Sequence, residues 1–346
     1  MNITWKSPSN IALIKYWGKH GEQLPNNPSL SLTLSDASTT TSISLKKKRS
    51  KKPIDLDFSF EGKKNPAFSA KILTYLTGIQ KEFNFLSEQR IIVDSENSFP
   101  HSAGIASSAS SMSAMALCLM SLKATTEKKM YNYDTFLQQA SGFARLGSGS
   151  ASRSIYPEFS VWGKTIAVPG SSDKYAIPFP INYHNDFSDM EDSILIVNES
   201  EKSVSSRAGH ALMNDHPMAK QRYVNANNRF KLLLNALNTG DWGLFCQIVE
   251  TEALELHALM MTSTHSFILM KPNTLEIIER IRNFRAETKI PVCFTLDAGP
   301  NVHVLYPHSE KTKVRNFIQS ELLPYCIKKK VIYDHMGKGP SQIMND

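Results

Sequence analysis

Three stretches of this sequence hold residues that bind or move charge at spacings chemistry can use. The first is 99–116, FPHSAGIASSASSMSAMA, where Pro100 and Gly104 lead into Ala106, Ser107, Ser108, Ser110 and Ser111. Small residues let a backbone approach a ligand, and Gly takes the positive φ that a concave loop needs. Met112, Met115, Ala116 and Leu119 follow at helical spacing, which places the Gly/Ser loop at a helix N-terminus. There, unpaired N–H groups and the helix dipole favour a phosphate. No Lys closes the loop, so it is not a Walker A loop. A Ser-rich cap on a core helix is the plainer alternative. The second stretch is 147–156, GSGSASRSIY, in which Gly147, Ser148, Gly149 and Ser150 precede Arg153, a cation whose planar fork suits phosphate or carboxylate. The third is 296–302, LDAGPNV, an Asp at a strand end before a Gly-Pro turn. Such an Asp is often a turn former, and it is also where a scaffold can hold a base rigidly.

The elements around these stretches follow from hydrophobic period. In 6–19, KSPSNIALIKYWGK, an apolar strand carries Asn10, Lys15 and Lys19, and residues two apart would set Lys15, Trp17 and Lys19 on one side beside Tyr16. That is an anion site or a strand with snorkelling lysines. Residues 24–34 read as a turn and an alternating strand, 66–86 and 133–144 as helices, and 90–94 as a strand that delivers the chain to the Gly/Ser loop. Strand 159–162 precedes a polar, Asp-rich candidate linker at 182–192. In the second half, strand 193–197 leads to Ser205, Ser206 and Arg207 ahead of a helix. Helices 216–238, 241–261, 274–284 and 310–323 and strand 331–335 complete the chain, with two strand-like runs around Asp297. Helix 241–261 carries Glu252, Glu255 and His257, whose spacing does not fit H-E-x-x-H, and no residue is assigned as a metal ligand.

Composition bounds the class. A chain of 346 residues with 41% hydrophobic and 21% charged residues can bury a sizeable core and is not disordered. No run approaches the roughly 20 apolar residues of a membrane span, and no signal peptide is visible. Cys118, Cys246, Cys293 and Cys326 are scattered, with no C-x-x-C, and Cys118 and Cys293, in apolar settings, read as reduced, buried and inert. A cytoplasmic protein that does not engage a membrane is expected. Much of the +7 net charge lies in 46–52, KKKRSKK, between alternating segments 39–45 and 54–60, which makes it the solvated turn of a hairpin. A nucleic-acid patch is the competing reading, without interleaved aromatics to support it.

Together, NIALIKYWGK, SLSLTL, FPHSAGIASSAS, GSGSASRSIY, VSSRAG and LDAGPNV stand in the order seen in mevalonate diphosphate decarboxylases, a family this chain resembles along nearly all its length. The wider group contains galactokinase, homoserine kinase, mevalonate kinase and phosphomevalonate kinase. The resemblance implies an α/β (α+β) two-domain small-molecule-kinase-like fold with the active site in the interdomain cleft. Residues 1–188 would form the ATP-binding domain and 189–346 the domain carrying the catalytic Asp. It implies that Asp297 acts on the substrate's tertiary 3-hydroxyl as general base or orienting group, with Lys15, Arg153 and Ser206 also catalytic. Asn10, Tyr16, Lys19, Ser148, Gly149, Ser150, Arg153 and Arg207 would bind substrate. Pro100, Gly104, Ala106, Ser107, Ser108 and Ser110 would bind ATP. ATP and Mg2+ are the cofactors implied, mevalonate 5-diphosphate the substrate, isopentenyl diphosphate the product and a homodimer the assembly. A mevalonate 5-phosphate decarboxylase, a mevalonate 3-kinase-like relative and a non-catalytic nucleic-acid-binding protein are the alternatives. The chain departs from the family at Tyr156-Pro157-Glu158-Phe159, where a Gly-Gly pair usually precedes the Phe. Pro and Glu are not expected to adopt glycine angles there.

Overall fold

The computed structural model describes residues 1–99, 105–199 and 206–344, without the side chains of Ser206 and Arg207. The chain opens with β1 (Asn2–Ile14), the short pair β2 (Lys19–His20) and β3 (Leu24–Pro25), and β4 (Ser29–Lys47). There follow β5 (Asp55–Phe60), β6 (Lys63–Lys64), α1 (Pro66–Ile79), α2 (Phe85–Glu88) and β7 (Gln89–Asn97). Helices α3 (Ser107–Thr126) and α4 (Tyr133–Gly147) and strands β8 (Phe159–Trp162) and β9 (Ala176–Pro178) complete this part. The remainder begins with β10 (Met190–Leu195), α5 (Ser206–Ala211), α6 (Ala219–Thr239), α7 (Trp242–Met261) and α8 (Pro272–Thr288). It ends with β11 (Cys293–Thr295), β12 (Val302–Pro307), α9 (Lys311–Phe317), β13 (Val331–His335) and β14 (Ser341–Ile343).

The strands form two main sheets. One has the order β14-β1-β4-β7-β5-β6, with β8 on β4 and β9 on β8; the other has the order β11-β12-β10-β13. The α/β architecture expected from the sequence is therefore present. Strand β14 pairs with β1, so the end of the chain returns to the first sheet.

Helix α3 is the element against which the first sheet is organised. It packs on β1, β4 and α4, and from Met112 to Leu122 it is buried on every side, as a helix segment without a polar stripe must be. Its serines are satisfied by the sheet: Ser110 meets Thr39 at 2.6 Å, Ser113 meets Ser7 at 2.5 Å and Ser121 accepts from Trp5 Nε1 at 2.9 Å. Buried hydroxyls left without such partners would cost about 1–3 kcal/mol each.

Four expectations are corrected. β1 ends at Ile14, so Lys15, Tyr16 and Trp17 lie beyond the strand and do not alternate along its face. The candidate linker at 182–192 is shorter than expected, because β10 begins at Met190. The basic run 46–52 is not a hairpin turn. β4 and β5 both pair with β7, antiparallel and parallel respectively, so β7 lies between them. The run crosses the end of β7, where Lys48 Nζ donates to the Ser87 carbonyl at 2.6 Å. Finally, Glu158 does take a left-handed conformation, φ 55°. Its backbone bonds to Gly337 and Thr33 and the hydroxyl of Tyr183, 2.7 Å from its carboxylate, hold it there.

Lys46, Lys47, Lys51 and Lys52 are exposed. Changing these four to Gln should leave turnover within twofold of the parent and shift stability by less than about 0.5 kcal/mol per site. A steady-state assay and a thermal melt check this, and a collapse of turnover in a folded variant would put the run in the site.

Candidate active site

The site begins where β1 stops. Lys15 is 1% exposed, and its Nζ donates to the Ala12 carbonyl at 2.6 Å and lies 3.6 Å from Asp297 Oδ1. Burial lowers its pKa to about 8, against the opposing pull of Asp297 and Glu252. Asp297 sits in the turn between β11 and β12, which Gly299 closes by donating its N–H to the Asp297 carbonyl at 2.7 Å. Thr274 in α8 ties the same turn through the Pro300 carbonyl at 2.7 Å. The Asp297 side chain is 27% exposed against 2% for Lys15, so the carboxylate faces the open side and the ammonium backs it. Asp297 thus stands in a turn tied from two sides, a mount that suits either of the readings its Gly-Pro signal leaves open.

Arg153 lies on the helical turn Gly149–Ile155 that follows α4 and is 2% exposed. Its Nη1 donates to Ser29 Oγ at 2.7 Å and its Nε to Ser31 Oγ at 2.5 Å, both on β4. Asn10 on β1 braces this turn, donating to Ser154 Oγ at 2.8 Å and to the Ser150 carbonyl at 3.2 Å. Burial lowers the Arg153 pKa to about 10, and the guanidinium stays charged at neutral pH.

Two Gly/Ser stretches come together. Ser108, exposed at the start of α3, lies 3.2 Å from Ser148 Oγ, which in turn lies 3.3 Å from Ser150 Oγ. Ala106 caps α3 in a left-handed conformation, φ 42°, and Ser107 begins the helix. Ser110 belongs elsewhere: it is 0% exposed and turned to Thr39 in the sheet, which removes its side chain from the phosphate loop. Gly149 has a packing reason to be small as well. A Cβ there would come within 2.8 Å of both the Trp162 and Tyr16 rings, so ring packing requires it. Pro100 and Gly104 lie outside the described residues, as do the side chains of Ser206 and Arg207; the backbone of the latter pair starts α5.

Tyr16 projects between Trp162 and His210, with ring centroids 4.6 and 4.3 Å away. Its hydroxyl is buried and has no hydrogen-bond partner among the described residues. A buried donor of this kind fits an anionic oxygen supplied by a ligand. Lys19 in β2 donates to Gln23 at 2.6 Å and adds positive charge nearby. His210 was not singled out by the sequence. Its Nδ1 accepts the Gly18 N–H at 3.0 Å, which places the proton of the neutral ring on Nε2. Burial, with Lys19 and Arg153 nearby, pushes its pKa down to about 3. The only sequence hint is Gly209, where a Cβ would strike the Trp17 ring at 2.5 Å.

Comparison with known proteins now decides the family. Residues 7–176 match the diphosphomevalonate decarboxylase-like N-terminal domain, and residues 193–336 match the mevalonate 5-diphosphate decarboxylase C-terminal domain. The chain belongs to the diphosphomevalonate decarboxylase family. The diphosphomevalonate decarboxylase of Saccharomyces cerevisiae is 30% identical over 327 residues, covering 90% of this chain and 79% of that one. The mevalonate diphosphate decarboxylase of Staphylococcus aureus superposes with a TM-score of 0.84 at 27% identity, covering 99% of this chain and 98% of that one. The enzyme from Enterococcus faecalis gives 0.83 at 28% identity, covering 100% and 99%. The decarboxylase is thus an enzyme of ATP-dependent mevalonate diphosphate decarboxylation, and none of these likenesses favours the kinase-only, monophosphate or nucleic-acid readings. No described helix is long and apolar enough to cross a membrane.

The depressed Lys15 pKa gives this decarboxylase an expected pH limb. Between about pH 8 and 10.5 the unfolded chain holds a proton on Lys15 that the folded chain lacks, so this group's contribution to stability rises with pH across that window. Activity should run the other way if the ammonium must hold Asp297, with kcat/KM falling above about pH 8. Of the charged groups acting on Lys15, Glu252 is shifted down, against its burial, by Arg222 and Arg229, and Arg153 lies at about 10, so neither gives a competing limb near pH 8. A profile from about pH 6 to 10 tests this, and the residual turnover of Lys15→Met should lack the limb.

Proposed function

We propose a division of labour for the family's reaction in this chain. Asp297 takes the proton of the substrate's tertiary 3-hydroxyl as that oxygen attacks the γ-phosphorus of ATP and ADP departs. Lys15 orients the carboxylate from behind. The new 3-phosphate then leaves with the C–O electron pair, and the pair of the bond to the carboxylate forms the alkene as CO2 is lost. ADP, phosphate, CO2 and isopentenyl diphosphate balance the reaction. The observation that carries this reading is the buried Lys15 ammonium 3.6 Å from a half-buried Asp297 carboxylate held in a tied turn. A mispositioned base forfeits rate quickly, so a rigid mount is what this chemistry needs.

Arg153, Tyr16, Lys19 and Ser148 supply cationic and hydroxyl donors to the substrate's diphosphate or carboxylate, joined by Ser150 and Arg207. Asn10 holds the Arg153 turn in place. Ser107 and Ser108, at the N-terminus of the 20-residue α3, receive the ATP phosphates, and Ser206 acts near the transferred phosphoryl group. Related structures are described with MVAPP, AMPPCP and magnesium. The serine hydroxyls are hard oxygen donors that fit a phosphate-bound Mg2+. When bound, Mg2+ neutralises charge on the β- and γ-phosphates. In this reading 1–188 is the ATP-binding unit and 189–346 carries Asp297. The homodimer and cytoplasmic location implied by the resemblance are tested by sedimentation and fractionation.

The deciding experiment supplies ATP and Mg2+ with mevalonate, its 5-phosphate and its 5-diphosphate in turn, and measures both ADP and CO2. Equal ADP and CO2 from the 5-diphosphate alone is the expected result. ADP without CO2 would make the enzyme a kinase, and preference for the 5-phosphate would move the substrate assignment.

A further inference from the structure

Helix α7 carries Glu252, Glu255 and His257, three groups that the reaction as described does not use. We infer that Glu252 and Arg222, together with His257, are positioning residues that set the meeting of Lys15 with Asp297. The inference rests on the roles proposed above for that pair.

Lys15 lies past the end of β1, where no sheet partner fixes its peptide. Its N–H donates to Glu252 Oε2 at 2.9 Å, and its carbonyl accepts from Arg222 Nη2 at 3.2 Å and from Asn27 Nδ2 at 3.0 Å. Glu252 and Arg222 grip each other with both arms: Nη1 to Oε1 at 2.7 Å and Nη2 to Oε2 at 2.6 Å. The side chains of both are 0% exposed. Two further groups balance the charge. Arg229 Nη1 reaches Glu252 Oε1 at 2.8 Å, and Glu255 Oε2 accepts from both Arg222 and Arg229. Two cations and two anions thus form a neutral set joining α6 and α7. Glu255 Oε1 also accepts from Asn225 at 2.9 Å, while Glu252 and Arg222 each give one further bond to the Lys15 peptide.

Farther along the same helix, His257 Nε2 donates to the Asp297 main-chain carbonyl at 3.1 Å. His257 is 1% exposed, and α7 packs against both β1 and β11. One helix therefore holds the main chain at both residues of the pair, Glu252 at its middle fixing Lys15 and His257 nearer its C-terminal end fixing Asp297. Bidentate ion pairs impose direction as well as attraction, and sites mounted on helices are held more closely than sites on loops. A buried ion set is weak evidence for stability in itself, because desolvation offsets much of its attraction. Placing a peptide is a use that its geometry does support. Displacement by about 1 Å at a reacting group can cost on the order of 100-fold in rate.

The test compares Glu252→Gln, His257→Phe and His257→Asn with Asp297→Asn under identical conditions. For Glu252→Gln a drop in kcat of about 10- to 100-fold is expected, and for His257→Phe about tenfold, in soluble protein with native circular dichroism. KM for both substrates should stay within threefold, because neither residue touches the ligands. His257→Asn, which keeps an N–H donor, should recover part of the loss seen in His257→Phe. If Glu252→Gln does not fold, the His257 pair decides, since it lies outside the ion set. Folded variants with kcat within twofold of the parent would overturn the inference. So would kcat losses that merely follow the folded fraction measured by ATP-site titration. An active Asp297→Asn would instead overturn the roles of Lys15 and Asp297, which separates the two failures.

Discussion

Asp297→Asn is expected to lower kcat by about 100-fold or more, the usual range for losing a positioned proton acceptor, while ATP affinity stays near that of the parent. The substitution is nearly isosteric. An amide oxygen can still face the Lys15 ammonium, and the turn is held through the Asp297 carbonyl by the Gly299 N–H and the His257 ring, bonds that the Asp297 side chain does not make. Packing and stability should therefore change little, and a fall in turnover reports the lost carboxylate. The ATP phosphates are assigned to the α3 N-terminus, on a different element, which is why nucleotide binding should survive. Steady-state ADP release gives kcat, and calorimetry gives the ATP dissociation constant. Turnover within a few-fold of the parent would remove Asp297 from proton transfer.

The candidate site's polar residues were legible from the motifs taken together, in the order that carries the family resemblance; each stretch alone has a local signal that also admits a structural role. A Gly-Pro turn after an apolar run marks Asp297, and small residues before a helix mark Ser107 and Ser108. The strand and helix order follows from periods of two and about 3.6, which are also local properties. What escaped depends on partners distant in sequence. Nothing within 39–60 says that β7 will insert between β4 and β5; that choice is made by a parallel pairing reached through α1 and α2. Ser110 looks like a loop serine until Thr39, 71 positions away, claims its hydroxyl. Glu252 reads as one of several acids on an amphipathic helix, and its role appears only when the Lys15 N–H, 237 positions away, arrives at its carboxylate. His210 was missed because a neutral histidine wedged between two aromatic rings leaves no spacing to read. Glu158 departs from expectation in the other direction. A left-handed non-glycine residue is a cost of about 1–2 kcal/mol, not a prohibition, and tertiary bonds can offset it.

Arg153→Lys should raise the KM for the phosphorylated substrate by roughly ten- to a hundredfold and disturb ATP affinity much less, since one charge-assisted bond is worth about 1.5–3 kcal/mol. The guanidinium already commits Nε and Nη1 to Ser31 and Ser29 on β4, and its carbon lies 5.7 Å from the Trp162 ring centre. Nη2 takes no hydrogen bond among the described residues, which leaves one arm of a fixed fork for an anion. Lysine keeps the charge but offers a point donor on a flexible stem, so the loss reports geometry. A pairing of Arg153 with Glu158 is the simplest structural rival, and it does not occur. Glu158 is exposed and accepts from Tyr183 at 2.7 Å, with no ion pair to Arg153 among the described residues. The remaining rival is that Arg153 only ties the turn after α4 to β4 through its two serines. In that case the variant would melt at a lower temperature and lose affinity for ATP and substrate about equally. A selective loss of substrate affinity, with the melting temperature lowered only modestly for the two serine bonds, assigns the third arm to the ligand.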